Sequence, residues 1–407
     1  MLKKSLLLLI LIFLNTINAK SINDQNIDTI IENTFKNNYT LKALEQAIKS
    51  SKEQIALSSK WKNPTLSFGV SDIQFNDVTR RDLEPMQAQF IGFSQIVPIN
   101  DKLKTQEKIA SNDYEISKYL LEDRKLQYKS KIYEYTYYIK ILEERLFLFD
   151  EFKSNTLKLE ELLKQLYKYN KASQIQILNT QIMTQELNLK SQKLKTMLNT
   201  INLKLEQIIY EKTENININT SIKEVKLLPN INTHPKILSL NQESKKQDNI
   251  SILEKQKKNS DVMLSFDYFQ RDSKYEDYVN IALSIPLSIY GSENIKAKKA
   301  KIKTVEINHK LQDTILSFEN KIQTYQINID DSIKTLNIIN QNIIPKFNHL
   351  QKVLESYNSY KASKMIDSRS LINNLNEVIK YKLKAIDEKE KYFQALSKSM
   401  YFTKEIK

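Results

Sequence analysis

The chain has 407 residues, 41% of them hydrophobic and 27% charged, with a formal net charge of +14, three glycines and no cysteine. Without cysteine there are no disulfides and no thiolate metal sites, and so little glycine leaves no GxGxxG or GxxxxGK loop to cradle a phosphate. The excess charge is carried by lysines dispersed among Glu, Asn and Ile, with arginine only at Arg80, Arg81, Arg124, Arg145, Arg271 and Arg369; this describes a solvated helical surface, not a nucleic-acid face.

Residues 1–19 read as a signal peptide. Lys3 and Lys4 precede an apolar run from Ser5 to Leu14, and Ile17-Asn18-Ala19 supplies a cleavage site. The run is shorter than the ~20 residues of a membrane-crossing helix. No cysteine follows it to carry a lipid anchor.

A first repeat is expected over 20–213. Ile27, Ile30, Ile31, Leu41, Leu44, Ile48 and Ile55 recur at helical spacings and predict a helix over 24–60, closed by Asn63-Pro64. Leu66, Phe68 and Val70 then alternate with Thr65, Ser67, Gly69 and Ser71, the period of a strand. A polar stretch with Asp77, Arg80, Arg81, Asp82 and Pro85 reads as a loop before a second strand over 87–97. Pro98 and Asp101 mark a strand-to-helix junction. The helix that follows is expected over 101–169, ~100 Å at 1.5 Å per residue, with a return helix over 173–211 of ~58 Å. Apolar residues step by threes and fours in both, from Ile139, Leu142 and Leu146 to Leu166 and from Leu194, Leu198 and Ile201 to Ile208, as in coiled-coil seams.

Residues 214–232 are polar and proline-bounded and read as a linker. A second repeat is expected over 233–407, with a helix over 235–258, strands over 262–268 and 279–291, a long helix over 292–360 and a return helix to the C-terminus. Pro98 recurs as Pro286, and Tyr167 with Lys171-Ala172-Ser173 recurs as Tyr357 with Lys361-Ala362-Ser363, both roughly 190 residues on. Pro345 departs from the symmetry. It falls inside the second long helix, where it is expected to introduce a kink, whereas its counterpart Asn155 forces none. The whole reads as one interlocked structural domain made of two repeats.

Val279, Ile281, Leu283, Ile285 and Leu287 lie on one face of the last strand, with Asn280, Ala282, Ser284 and Ser288 on the other. Flanked by Tyr278 and Tyr290, this dyad pattern fits a transmembrane β-strand, with an ordinary half-buried sheet as the alternative. Four strands cannot close a membrane barrel, which needs eight or more and no free edge. If the sheet lies in a membrane, strands must be pooled between chains.

In order and in twofold recurrence, the signal peptide, NPTLSFGVS, GFSQIVPINDKLK and the tyrosine-containing turn resemble the TolC-like outer-membrane efflux proteins, over essentially the whole mature chain. The resemblance implies a mainly α protein with a small β part, forming a homotrimer with a shared twelve-strand barrel in outer-membrane lipid and a long periplasmic α-helical barrel. It further implies a passive exit duct working with a periplasmic adaptor and an inner-membrane pump, exporting small toxic molecules, metal ions or proteins, without cofactor or catalysis. Glu84-Pro85-Met86 before the SQIVP segment is closer to the metal-efflux branch. The helix turns would form the periplasmic gate, through Tyr167, Gln176 and Asn179 in the first repeat and Tyr357, Asp367, Arg369, Ser370 and Asn373 in the second. Amides and hydroxyls there largely replace the acidic ring common in the family. A channel for type I protein secretion, or a periplasmic coiled-coil adaptor or scaffold, are the alternative readings. An enzyme is not expected: His234, His309 and His349 lack paired ligand spacing such as HExxH, and Glu143-Glu144 fits a solvated helix face.

Overall fold

The computed structural model describes residues 26–212, 216–360 and 368–406. The expected signal peptide, Lys361-Ala362-Ser363 and Asp367 lie outside the described residues. The elements in order are α1 (Ile27–Asn37), α2 (Tyr39–Ser58), β1 (Thr65–Ser71), β2 (Ala88–Val97), α3 (Lys102–Lys168), α4 (Gln174–Ile209), β3 (Leu227–Pro229), α5 (Pro235–Gln256), β4 (Val262–Arg271), β5 (Tyr278–Ser284), α6 (Ser292–Asn337), a π-helical turn (Ile338–Ile343), α7 (Ile344–Tyr360), α8 (Ser368–Ser399) and β6 (Thr403–Ile406). They fall into two compact units, each drawing on both repeats.

The first unit comprises residues up to Asn38, Lys129–Glu224 and Asn328–Ser397. Its core holds Ile132, Ile141, Leu142, Phe152 and Leu163 of α3, Leu205 of α4, and Tyr392 and Phe393 of α8, all essentially without solvent exposure. Partner numbers fall along α8 as they rise along α3, so the two helices are antiparallel. Ser130 Oγ donates to the Ser397 carbonyl at 2.9 Å, Tyr137 stacks on Phe393 at 4.3 Å, and Arg145 reaches both Asp387 and Glu390 at 2.6 Å. Lys382 closes the series on Glu151 at 3.1 Å. The helix expected over 24–60 is broken at Asn38, whose backbone is extended and whose side-chain amide donates to the Ile208 carbonyl at 2.9 Å. No Gly or Pro announces this break; the tertiary hydrogen bond of a buried amide makes it.

The second unit comprises Tyr39–Tyr128, Val225–Ile327 and the residues from Lys398 on. Here α5 and α6 run antiparallel through Ser244–Asn308, Asp248–Lys301 and Ser251 to the Ala297 carbonyl, at 2.7, 2.9 and 3.0 Å. Lys246 pairs with Asp113 of α3 at 2.6 Å. The C-terminal helix stops at Ser399, short of the expected end. Tyr401 and Phe402 turn inward against His234, Phe318 and Tyr325, and β6 pairs with β3, a strand inside the expected linker.

The four long strands form one antiparallel sheet in the order β1-β2-β4-β5. Each repeat supplies a hairpin, and the hairpins join through β2 and β4. The last strand ends at Ser284 and not near 291, because Pro286 has no N–H to give a ladder. Residues Asn100 and Gly291, at matching places just ahead of α3 and α6, both take left-handed backbone with φ of 64° and 68°. Glycine adopts that conformation at no steric cost, and asparagine is among the few other residues that do so readily.

Candidate functional site: a two-faced sheet and the helix turns

The register of the sheet lines its side chains into rows across all four strands. On one face, Leu66, Phe93, Phe266 and Ile281 form one row and Phe68, Ile91, Tyr268 and Val279 the next. All eight are exposed, Phe68 to 81% and Ile281 to 77%. Leu264 and Leu283 extend the same face towards the helices. Moving such a side chain fully out of water is worth roughly 1.5–3 kcal/mol, so a face carrying ten of them calls for an apolar cover. The opposite face carries Thr65, Ser94, Ser265 and Ala282, then Ser67, Gly92, Asp267 and Asn280. Nearer the loops it becomes aromatic: Phe90 meets Phe269 at 5.4 Å and Phe269 stacks on Tyr278 at 4.7 Å, opposite Gly69. A Cβ on Gly69 would stand 2.8 Å from the Phe90 ring, so the edge glycine makes room for it.

Beyond the strands, the two hairpin loops are tied together. Asp82 accepts from Arg80 at 3.0 Å and from Lys274 of the other loop at 2.7 Å, and these two cations hold its carboxyl far below the ordinary range. The guanidinium of Arg271 donates to the Pro85 carbonyl at 3.2 Å. At the other end, Pro98 and Pro286 stand between strand and helix as expected. Lys102, buried, donates to Asp261 Oδ1 at 2.6 Å, which also accepts the Ile99 N–H at 3.2 Å. This clamp fixes the start of α3 against the start of β4.

The first helix turn is closed by caps on both sides. Lys171 N–H donates to the Leu166 carbonyl at 2.9 Å and Asn170 N–H to that of Tyr167 at 3.0 Å, with Asn170 left-handed at φ 55°. This is a Schellman arrangement. On the other side Ser173 and Gln176 form a capping box: Ser173 N–H donates to Gln176 Oε1 at 2.8 Å and Gln176 N–H to Ser173 Oγ at 3.4 Å. Of the expected gate residues, Gln176 is thus engaged within the turn, while Tyr167 and Asn179 are exposed. Above the turn, Glu160 joins Lys164 and Gln181, both at 2.8 Å, and the Lys164 ammonium lowers its pKa.

In the second repeat, Tyr357 lies in α7 and Arg369, Ser370 and Asn373 in α8. Ser370 is half-buried and Asn373 exposed. The disturbance expected from Pro345 is taken up by the π-helical turn just before it, in which Ile344 N–H reaches back five residues to the Ile339 carbonyl. The wider turn relieves the clash of the proline ring with the preceding turn. Leu336, Ile339 and Ala385 pack around it with Ile222, Ile343, Ile344 and Tyr381. Proline marked the place, but nothing local announced a π-turn.

No family model and no curated protein matches this sequence. Solved structures match over nearly the whole chain. The CmeC outer membrane channel of Campylobacter jejuni superposes with a TM-score of 0.75 at 13% identity, over 93% of this chain and 87% of that one. A membrane protein from Pseudomonas aeruginosa gives 0.77 at 10% identity, over 93% of both chains. The open state of the MtrE outer membrane channel of Neisseria gonorrhoeae gives 0.70 at 9% identity, over 92% and 88%. The fold is that of outer membrane channels, the TolC-like fold that the sequence motifs resemble. No described helix is long and apolar enough to cross a membrane.

Proposed function

We propose that the protein is an outer-membrane channel in which three copies pool their four-stranded sheets into one twelve-strand barrel. The apolar rows face lipid and the polar rows an aqueous lumen, and the helices form a periplasmic conduit. The observation that carries this reading is the sheet: an uncovered apolar face on a polar one, in a sheet whose outer strands β1 and β5 each pair on one side only. Edges left open in lipid are untenable, and closure with further copies removes them. Conduction is passive, without catalysis or cofactor. Energy comes from an inner-membrane pump reached through a periplasmic adaptor, and the cargo is small toxic molecules or metal ions. Export of proteins by a type I system is the second reading, and the shared fold favours neither.

The helix turns, with Tyr167, Gln176, Asn179, Tyr357, Asp367, Arg369, Ser370 and Asn373, would form the periplasmic gate. The doubly capped first turn supports a stiff element, and the π-turn ahead of Pro345 supports movement in the second pair. The test is outer-membrane fractionation with heat-modifiable migration, followed by single-channel recording in planar bilayers. A stable oligomer that conducts supports the reading, and a soluble periplasmic monomer overturns it in favour of an adaptor. Asp367→Ala and Arg369→Ala variants that open like the wild type would remove those residues from the gate.

A further inference from the structure

Across the four long strands the charged residues are Asp267 and Arg271. Arg271 is spent at the loop end: its guanidinium donates to the Glu276 and Pro85 carbonyls and lies over the Tyr278 ring at 5.2 Å. Asp267 is different. It sits mid-strand on the polar face, in the row Ser67, Gly92, Asp267, Asn280. No cation stands within ion-pair distance of it among the described residues. Gly92 exists in a form that suits it, because a Cβ there would run into the carboxylate and stand 2.6 Å from Ser67 Oγ. The glycine is thus a recess that lets an unpaired carboxylate lie across the centre of the sheet. The next row towards the loops is the Phe90, Phe269, Tyr278 stack on the same face.

We propose that Asp267 sets the charge preference of the conduit, favouring passage of cations, inorganic or organic, over anions. The inference rests on the barrel reading above, because one carboxylate per chain becomes three at one level of the lumen only when three sheets close. An unpaired carboxylate facing water attracts counter-ions over about one Debye length, ~10 Å at 0.1 M salt and ~3 Å at 1 M. The preference therefore fades as salt rises.

The experiment is the reversal potential of the purified full chain in planar bilayers under a KCl gradient, with Asp267→Asn and Asn280→Asp beside the wild type. Asparagine keeps the shape, and Asn280→Asp adds a second carboxylate to the same row. The expected result is a K⁺/Cl⁻ permeability ratio that falls about twofold or more in Asp267→Asn at ~0.1 M salt, rises in Asn280→Asp, and converges among all three at ~1 M. An Asp267→Asn oligomer that conducts with the wild-type ratio at low salt overturns the inference and leaves the channel reading standing. If no preparation conducts, the channel reading falls and this inference with it.

Discussion

His234 and Tyr401 meet through both ring and backbone: the imidazole Nε2 lies 2.9 Å from the Tyr401 carbonyl, and the two rings stand edge to face at 4.8 Å. The other ring nitrogen, Nδ1, accepts the Lys236 N–H at 3.1 Å and so caps α5. That acceptance requires neutral imidazole, and burial lowers the pKa of His234 below its ordinary value. The unfolded chain takes up this proton near pH 6.5 and the folded chain only at lower pH. Stability is therefore fully present above pH ~6.5 and is lost as pH falls through the window below it, by at most ~1.4 kcal/mol per pH unit. Thermal unfolding between pH 8 and pH 5 should show this slope, and His234→Asn, which keeps a capping side chain, should flatten it.

The caps of the first turn predict a graded series. Ser173→Ala removes half of the capping box and should cost ~0.5–2 kcal/mol. Asn170→Gly should be neutral or mildly stabilising, whereas Asn170→Val should cost ~1–2 kcal/mol by forcing a branched residue into left-handed backbone. Amide exchange over 170–180 reads all three, and equal protection in the valine variant would contradict the assignment.

The two sheet faces should respond oppositely to charge. Phe266→Lys and Ile281→Lys place an ammonium on the apolar face and should destabilise the membrane-inserted oligomer by ~2–4 kcal/mol near the bilayer midplane. Ser265→Lys, one residue along β4 and on the polar face, should leave it nearly unchanged. Denaturant titration in lipid vesicles, followed by heat-modifiable migration, distinguishes them. Equal sensitivity of the two faces would argue against lipid on the apolar side.

Proline inside a helix costs ~3 kcal/mol relative to alanine. Pro345→Ala should let the π-turn over Ile338–Ile343 tighten towards ordinary helix, raise the melting temperature and reduce the frequency of channel opening. A variant that is more stable but opens as often as the wild type would separate the π-turn from gating.

Much of this fold was legible because its signals are local. Thr65–Ser71 and 262–268 read as strands, the latter running on to Arg271 in the structure, and a long run without Pro or Gly marks α3. What failed depended on partners distant in sequence. The break at Asn38 needs the Ile208 carbonyl, and β6 needs β3 and the aromatic box around His234. At the first turn, the Ser173-to-Gln176 spacing is itself a capping-box signature legible in the sequence, and the structure forms that box with the residue also expected at the gate. His234, which has no paired ligand spacing in the sequence, has a structural role that only burial and hydrogen bonding reveal.

The join between β2 and β4 carries ten paired positions, against seven within each hairpin. Its two strands are separated by roughly 160 residues of chain, a loop whose closure entropy must be met before the pairing gives anything back. Each hairpin closes a short loop, whereas the seam between them closes a long one and is expected to form more slowly. The four-stranded sheet is therefore expected to complete after its local hairpins. For the outer-membrane channel proposed above, which would cross water before reaching lipid, late completion of the sheet limits the time its apolar face is exposed.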